Sequence, residues 1–174
     1  MRHFSGEFEG VRLLMSDELD LIAGGDGEDT DDVPPPKDLD PCTRNFLTNQ
    51  LSSWGMPSNF LSSVVFKSGL DGTENWITSQ AYGTGASAVT QGNTIYVRPE
   101  YFESFSNFTN QAGYEEVLHA AQFAQYGEAG FYALYGGASV MGWITGNGAY
   151  NGNSFEIQAK AFASALAGSS HSCP

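Results

Sequence analysis

Glu115, Glu116 and His119 stand together in the stretch Tyr114-Glu115-Glu116-Val117-Leu118-His119-Ala120-Ala121-Gln122. At helical spacing Glu115 and His119 are four residues apart and share a face, which Gln122 and Tyr126 continue. A carboxylate and an imidazole so placed can converge on one cation, and a neighbouring Glu116 can take and return a proton. Tyr114, Val117, Leu118 and Ala121 fall on the adjoining face, which is apolar enough to be buried. The stretch therefore predicts a helix from about Gln111 to Gln125, ended by Gly127. The plainer alternative is an acidic surface on an amphipathic helix with one hydrogen-bonded histidine.

The pattern E-E-x-x-H differs at one position from H-E-x-x-H, where two histidines hold zinc and the glutamate activates water. Its surroundings add detail. Ala88-Val89-Thr90-Gln91-Gly92-Asn93-Thr94-Ile95-Tyr96-Val97 lies upstream, the Tyr-rich Gly130-Phe131-Tyr132-Ala133-Leu134-Tyr135 follows, and Asn153-Ser154-Phe155-Glu156-Ile157-Gln158-Ala159 comes last. Over roughly residues 42 to 167 this order resembles the small zincin-like metallopeptidase domains found beside bacterial secretion and injection systems. Those domains carry a T-x-G-N-x-I-Y hairpin, a metal helix with an H-x-x-Q-like tail, and an N-x-F-E-x-x-A helix. The resemblance implies an α+β, zincin-like fold, mostly helical with a small β-sheet or hairpin. It also implies Glu116 as general base, Glu115, His119 and Glu156 as metal ligands, and a peptide or protein as substrate or ligand.

The departure at Glu115 changes the chemistry. A carboxylate can still bind zinc, but Glu115 and Glu156 together neutralise a divalent cation, and Glu116 then makes the cluster net negative. An oxygen-rich Glu/His/Glu set also leans away from zinc towards manganese or ferrous iron. Without a metal, three neighbouring carboxylates repel, and one is expected to keep its proton near neutral pH. Two functions stay open: a hydrolase using zinc or another divalent metal, and a domain that has kept the fold and lost the reaction, a peptide-binding or toxin/bacteriocin-like secreted protein with or without a metal. Glu156 has structural alternatives too, as a capping-box partner of Asn153 or an ion-pair partner of Lys160.

These residues need elements to hold them. The chain has 174 residues, 41% of them hydrophobic, enough for one domain with extensions. A formal net charge of −13 with seven basic residues argues against nucleic acid and anionic membranes as partners. No apolar run is long enough for a transmembrane segment. Residues 1–25, with Leu13, Leu14, Leu19, Leu21 and Ile22 before Gly24-Gly25, resemble the double-glycine leader of bacteriocin precursors. That resemblance implies cleavage after Gly25 by a peptidase-containing ABC exporter and a secreted, extracellular product. An ordinary N-terminal helix with a glycine C-cap is the alternative. Residues 26–40 are acidic and proline-rich and read as a disordered linker.

The domain is expected over residues 41–168, followed by a polar tail over 169–174. Asp40-Pro41 has the N-cap and first-turn chemistry of a helix whose stripe is Cys42, Phe46, Leu47, Leu51 and Trp54, stopped at Gly55. Pro57 to Phe66 suggests a short helix running into a strand, and residues 67–86 read as a loop. Ala86 to Thr90 and Thr94 to Val97 form a predicted hairpin about Gln91-Gly92-Asn93. Pro99 to Phe105 suggests a helical turn exposing aromatics. Gly130 to Ile144 reads as a buried or cleft-lining helix, and the last helix puts Phe155, Ala159, Phe162 and Leu166 on one face. Cys42 and Cys173, the two cysteines of the chain, lie at opposite ends of the domain and are expected to form a disulfide outside the cell.

Overall fold

Asp40 and Pro41 begin the first helix as their chemistry requires. In the computed structural model, which describes residues 33–167 apart from residue 147, the Asp40 carboxylate accepts from the backbone N–H groups of Cys42 and Thr43 at 2.9 and 3.0 Å. Helix α1, Pro41–Ser52, buries Leu47 and Leu51. The chain leaves it through Gly55, whose φ of 75° suits a residue without a Cβ. Trp54 then meets Phe162 edge-on at 6.3 Å, tying this end to the last helix. The expected leader over residues 1–25 with Gly24-Gly25, residues 26–32, the expected tail and Cys173 lie outside the described residues.

The fold is α+β: among the described residues, five α-helices accompany one small mixed sheet. Its strands are β1 Lys37–Asp38, β2 Val65–Ser68, β3 Ala88–Gln91 and β4 Thr94–Val97, in the order β1-β2-β4-β3. β2 runs parallel to β4, and the outer pairs are antiparallel. Ile95, Tyr96 and Val97 are buried consecutively, because β4 is central and covered on both faces. The hairpin is found with Gly92 and Asn93 as its two-residue loop. Gly92, at φ 60°, supplies the positive angle that strand-matched turns demand.

Two segments differ from the sequence reading. Residues 37–39, read as the end of a linker, belong to the domain: Lys37 and Asp38 pair with Phe66 and Val65, and Leu39 is buried. Within the expected loop at 67–86 stands helix α2, Trp76–Gly83, whose Asn75 side chain caps Thr78 N–H at 2.9 Å. Eight residues with one buried side chain, Thr78, give too little periodicity to be read. A third difference is smaller. The turn Pro99–Tyr101 exposes Tyr101, but helix α3, Phe102–Ser106, which follows it, buries Phe102 and Phe105.

Helix α4, Ala112–Ile144, carries most of the site and is broken at Gly127, where φ is 68°. Its first arm covers 112–126 and its second 128–144. Phe123 and Phe131 stack at 3.9 Å between ring centroids. Eight residues of straight helix would separate their backbones by about 12 Å along the axis, so the stack depends on the break. Helix α5, Ser154–Ala167, buries Phe155, Ala159, Phe162 and Leu166, the face expected from sequence.

Candidate functional site

The first arm of α4 sets Glu115, Glu116, His119 and Gln122 along a wall facing β3 and α5. Leu118 and Val117 anchor that arm in the core with no exposed surface. Thr90, on β3, donates its hydroxyl to the Glu116 carboxylate at 2.7 Å and lies 3.2 Å from the Glu116 carbonyl. Burial pushes the Glu116 carboxyl pKa up, opposed by the neighbouring His119 and by the Thr90 bond. Glu115 is half-buried. Its pKa is raised first by burial and also by Glu156, against the pull of Lys160. Raised carboxyls are what the sequence predicts for crowded glutamates, but desolvation outweighs repulsion as the cause.

Glu156 reaches the same place from α5. Its carboxylate oxygen Oε1 lies 3.5 Å from His119 Nε2 and accepts the Tyr135 hydroxyl at 2.6 Å. Both partners are almost fully buried, at 8% exposure for His119 and 4% for Glu156. Burial and the bond to Glu156 push the Tyr135 pKa far up, and burial together with Glu156 does the same to Tyr150. The structural alternatives for Glu156 are resolved by this geometry. Asn153 does cap α5, accepting from Phe155 N–H at 2.9 Å, while the Glu156 carboxylate turns inward. Lys160 goes over the Tyr150 ring at 4.0 Å and donates to Asn151.

Together these residues line a cleft of about 610 Å³, walled by Ala86 to Thr90, Phe123, Phe131, Tyr132, Tyr135 and Tyr150. No Lys or Arg is among its lining residues. Behind the lining Tyr132, Asn75 donates to the Tyr132 hydroxyl at 2.9 Å and to Glu128 at 2.6 Å. Thr90, Tyr135 and Tyr150 were not legible as site residues, and the sequence places Gln122 on the face of Glu115 and His119 without a role. The alternation of β3 and the Tyr-rich run after Gly130 were the available signals. Gly24, Gly25 and Cys173 fall outside the described residues, so the leader-cleavage site and the Cys42–Cys173 disulfide stay expectations.

Do these side chains fit a metal? Nitrogen and oxygen donors bound to zinc at about 2.0–2.1 Å in a tetrahedral arrangement stand about 3.4 Å apart. His119 Nε2 and Glu156 Oε1 match that spacing. Among the described residues, however, no group of three or more His, Cys, Asp or Glu side chains is arranged to hold a metal ion. Glu115 lines the same cleft without completing such a set. The expected ligands are therefore gathered into one cleft, with two of them in direct contact.

No known protein family, no curated protein and no solved structure matches this chain.

Proposed function

We propose that this chain is a zincin-like domain, exported and freed of its leader after Gly25 by a peptidase-containing ABC exporter, that binds peptides outside the cell without cleaving them. The observation that carries the reading is the unequal gathering of the expected ligands: His119 and Glu156 meet at 3.5 Å, and Glu115 adds no third member to a metal-holding set. A cleft in which two of the three expected ligands meet keeps its shape and its recognition surface. That surface suits an extended chain. β3 is an edge strand of the sheet, and residues 86–90 line the cleft, where backbone groups can pair with a peptide laid beside them. The tyrosines opposite offer apolar faces and hydroxyls to its side chains.

The test uses the secreted protein, whose N-terminus mass spectrometry should place at Asp26, mixed with an unstructured protein such as casein. Binding should be measurable with and without added zinc, and no fragments should appear on long incubation. Zinc-dependent fragments would overturn the reading.

A second reading, metal-dependent peptide hydrolysis, is favoured by the match between the His119–Glu156 spacing and two zinc donors. A divalent cation held by that pair would polarise the scissile carbonyl. Glu116, held by Thr90 and raised by burial, would take a proton from water and return it to the leaving amine. Elemental analysis of the purified protein distinguishes the two: about one metal per chain, lost on Glu156→Ala, belongs to the hydrolase.

A further inference from the structure

Gln122 is almost completely buried, at 2% exposure, yet no step in either reading uses it. Its side chain spans two helices. The amide nitrogen donates to the Phe155 carbonyl at 3.5 Å and to Gln158 Oε1 at 3.2 Å, both on α5. A backbone carbonyl can only accept, so the NH₂ group is fixed on the α5 side and the amide oxygen is left facing the first arm of α4. There Gln122 Oε1 lies 2.9 Å from His119 Nδ1. The amide oxygen is also acceptor-only, so the ring nitrogen it meets must carry the hydrogen.

We infer that Gln122 is a positioning residue that holds His119 in the Nδ1–H tautomer and thereby leaves the Nε2 lone pair open to the cleft. The neutral imidazole has one hydrogen to place, and Gln122 claims it. Nε2 and Glu156 Oε1 then present two acceptors 3.5 Å apart to whatever enters. Such a pair receives an N–H donor or a cation and repels a carboxylate. Without Gln122 the alternative is available at once: the hydrogen moves to Nε2 and is donated to Glu156, and the histidine closes on itself as a structural pair. The tautomer is thus decided by the packing of α4 on α5, through the carbonyl of Phe155. This inference concerns the same cleft as the proposed function, but its readout needs neither peptide nor metal.

The experiment is a long-range proton–nitrogen NMR spectrum of the full chain, labelled with ¹⁵N in its histidine rings and treated with chelator. It is recorded at about pH 9, where free imidazole is neutral. His119→Gln identifies the signals of residue 119 against those of His3 and His171. The parent should show His119 with a protonated Nδ1 and an unprotonated Nε2; an Nε2–H pattern in the parent overturns the inference without any variant. Gln122→Met keeps the side-chain length and removes the acceptor, and should lose the Nδ1–H pattern in favour of Nε2–H. Gln122→Glu restores an acceptor at the same reach and should regain it. A Gln122→Met spectrum that is folded and unchanged from the parent also overturns the inference. If the methionine variant does not fold, the parent and glutamate spectra still decide the tautomer.

Discussion

His119 on α4 and Glu156 on α5 are 37 positions apart in the chain, and their side chains meet at 3.5 Å between Nε2 and Oε1 inside a buried wall. The contact joins the first arm of α4 to α5 within the cleft. Beyond the break at Gly127, the second arm of α4 brings Tyr135 to the same Glu156 oxygen. Four outcomes can be expected from this arrangement.

Glu115→His should create the nitrogen donor whose place Glu115 takes in the E-E-x-x-H pattern. With His119 and Glu156 it would give a His/His/Glu set and bring the charge of the zinc-loaded cluster from −1 to about zero, counting Glu116 as ionised. Calorimetric titration of metal-stripped protein should show zinc affinity at least about tenfold above the parent, or roughly 1.4 kcal/mol. That gain should fade in acid as the two histidines protonate. A folded variant with no gain would mean that residue 115 cannot be brought to the pair.

Glu116 gives the domain a pH dependence of definite sign. Its folded pKa is raised above the ordinary value of 4.5, chiefly by burial. The folded state therefore binds the proton more tightly than the unfolded one, and the associated stability is present in full below about 4.5 and lost as pH rises through the folded value. Glu116→Gln keeps an oxygen for the Thr90 hydroxyl and cannot ionise. Urea denaturation should find it more stable than the parent at pH 8, with the difference closing at pH 4. A constant difference at both pH values would contradict the assignment.

Tyr135→Phe removes the hydroxyl that donates to Glu156 at 2.6 Å while keeping the ring packed 5.4 Å from Phe131. A buried carboxylate oxygen then loses a donor, at a cost of about 1–3 kcal/mol. Denaturant midpoints at pH 7 measure it.

Gly142 sits where the second arm of α4 touches the loop that carries Tyr150. A Cβ there would come within 2.6 Å of the Gly148 carbonyl oxygen and within 3 Å of Gly152 backbone atoms. Backbone on both sides leaves little room to yield. Gly142→Ala should cost about 1–3 kcal/mol, seen as a lower Tm. A neutral effect would show that the loop shifts freely, and with it the Tyr150 side of the cleft.

What the sequence determined by itself is local. The Asp40-Pro41 helix start, the Gly92 hairpin, the helix holding Glu115 and His119, its end at Gly127 and the buried face of α5 were all legible. Each rests on contacts between residues a few positions apart: a cap, a turn angle, a three-to-four-residue repeat. Helix α2 escaped because it is too short for its period to show. Tertiary structure alone decided the site. Periodicity places Glu115 and His119 on one face, but only the packing of α5 against the first arm of α4 selects His119, and not Glu115, as the direct partner of Glu156. Likewise Thr90 reaches Glu116 through the sheet, Tyr135 reaches Glu156 through the kink, and Gln122 reads the carbonyl of Phe155. A side chain's hydrogen-bond partner across helices depends on the distance and rotation between two rigid elements, and neither quantity is written in the residues of one element.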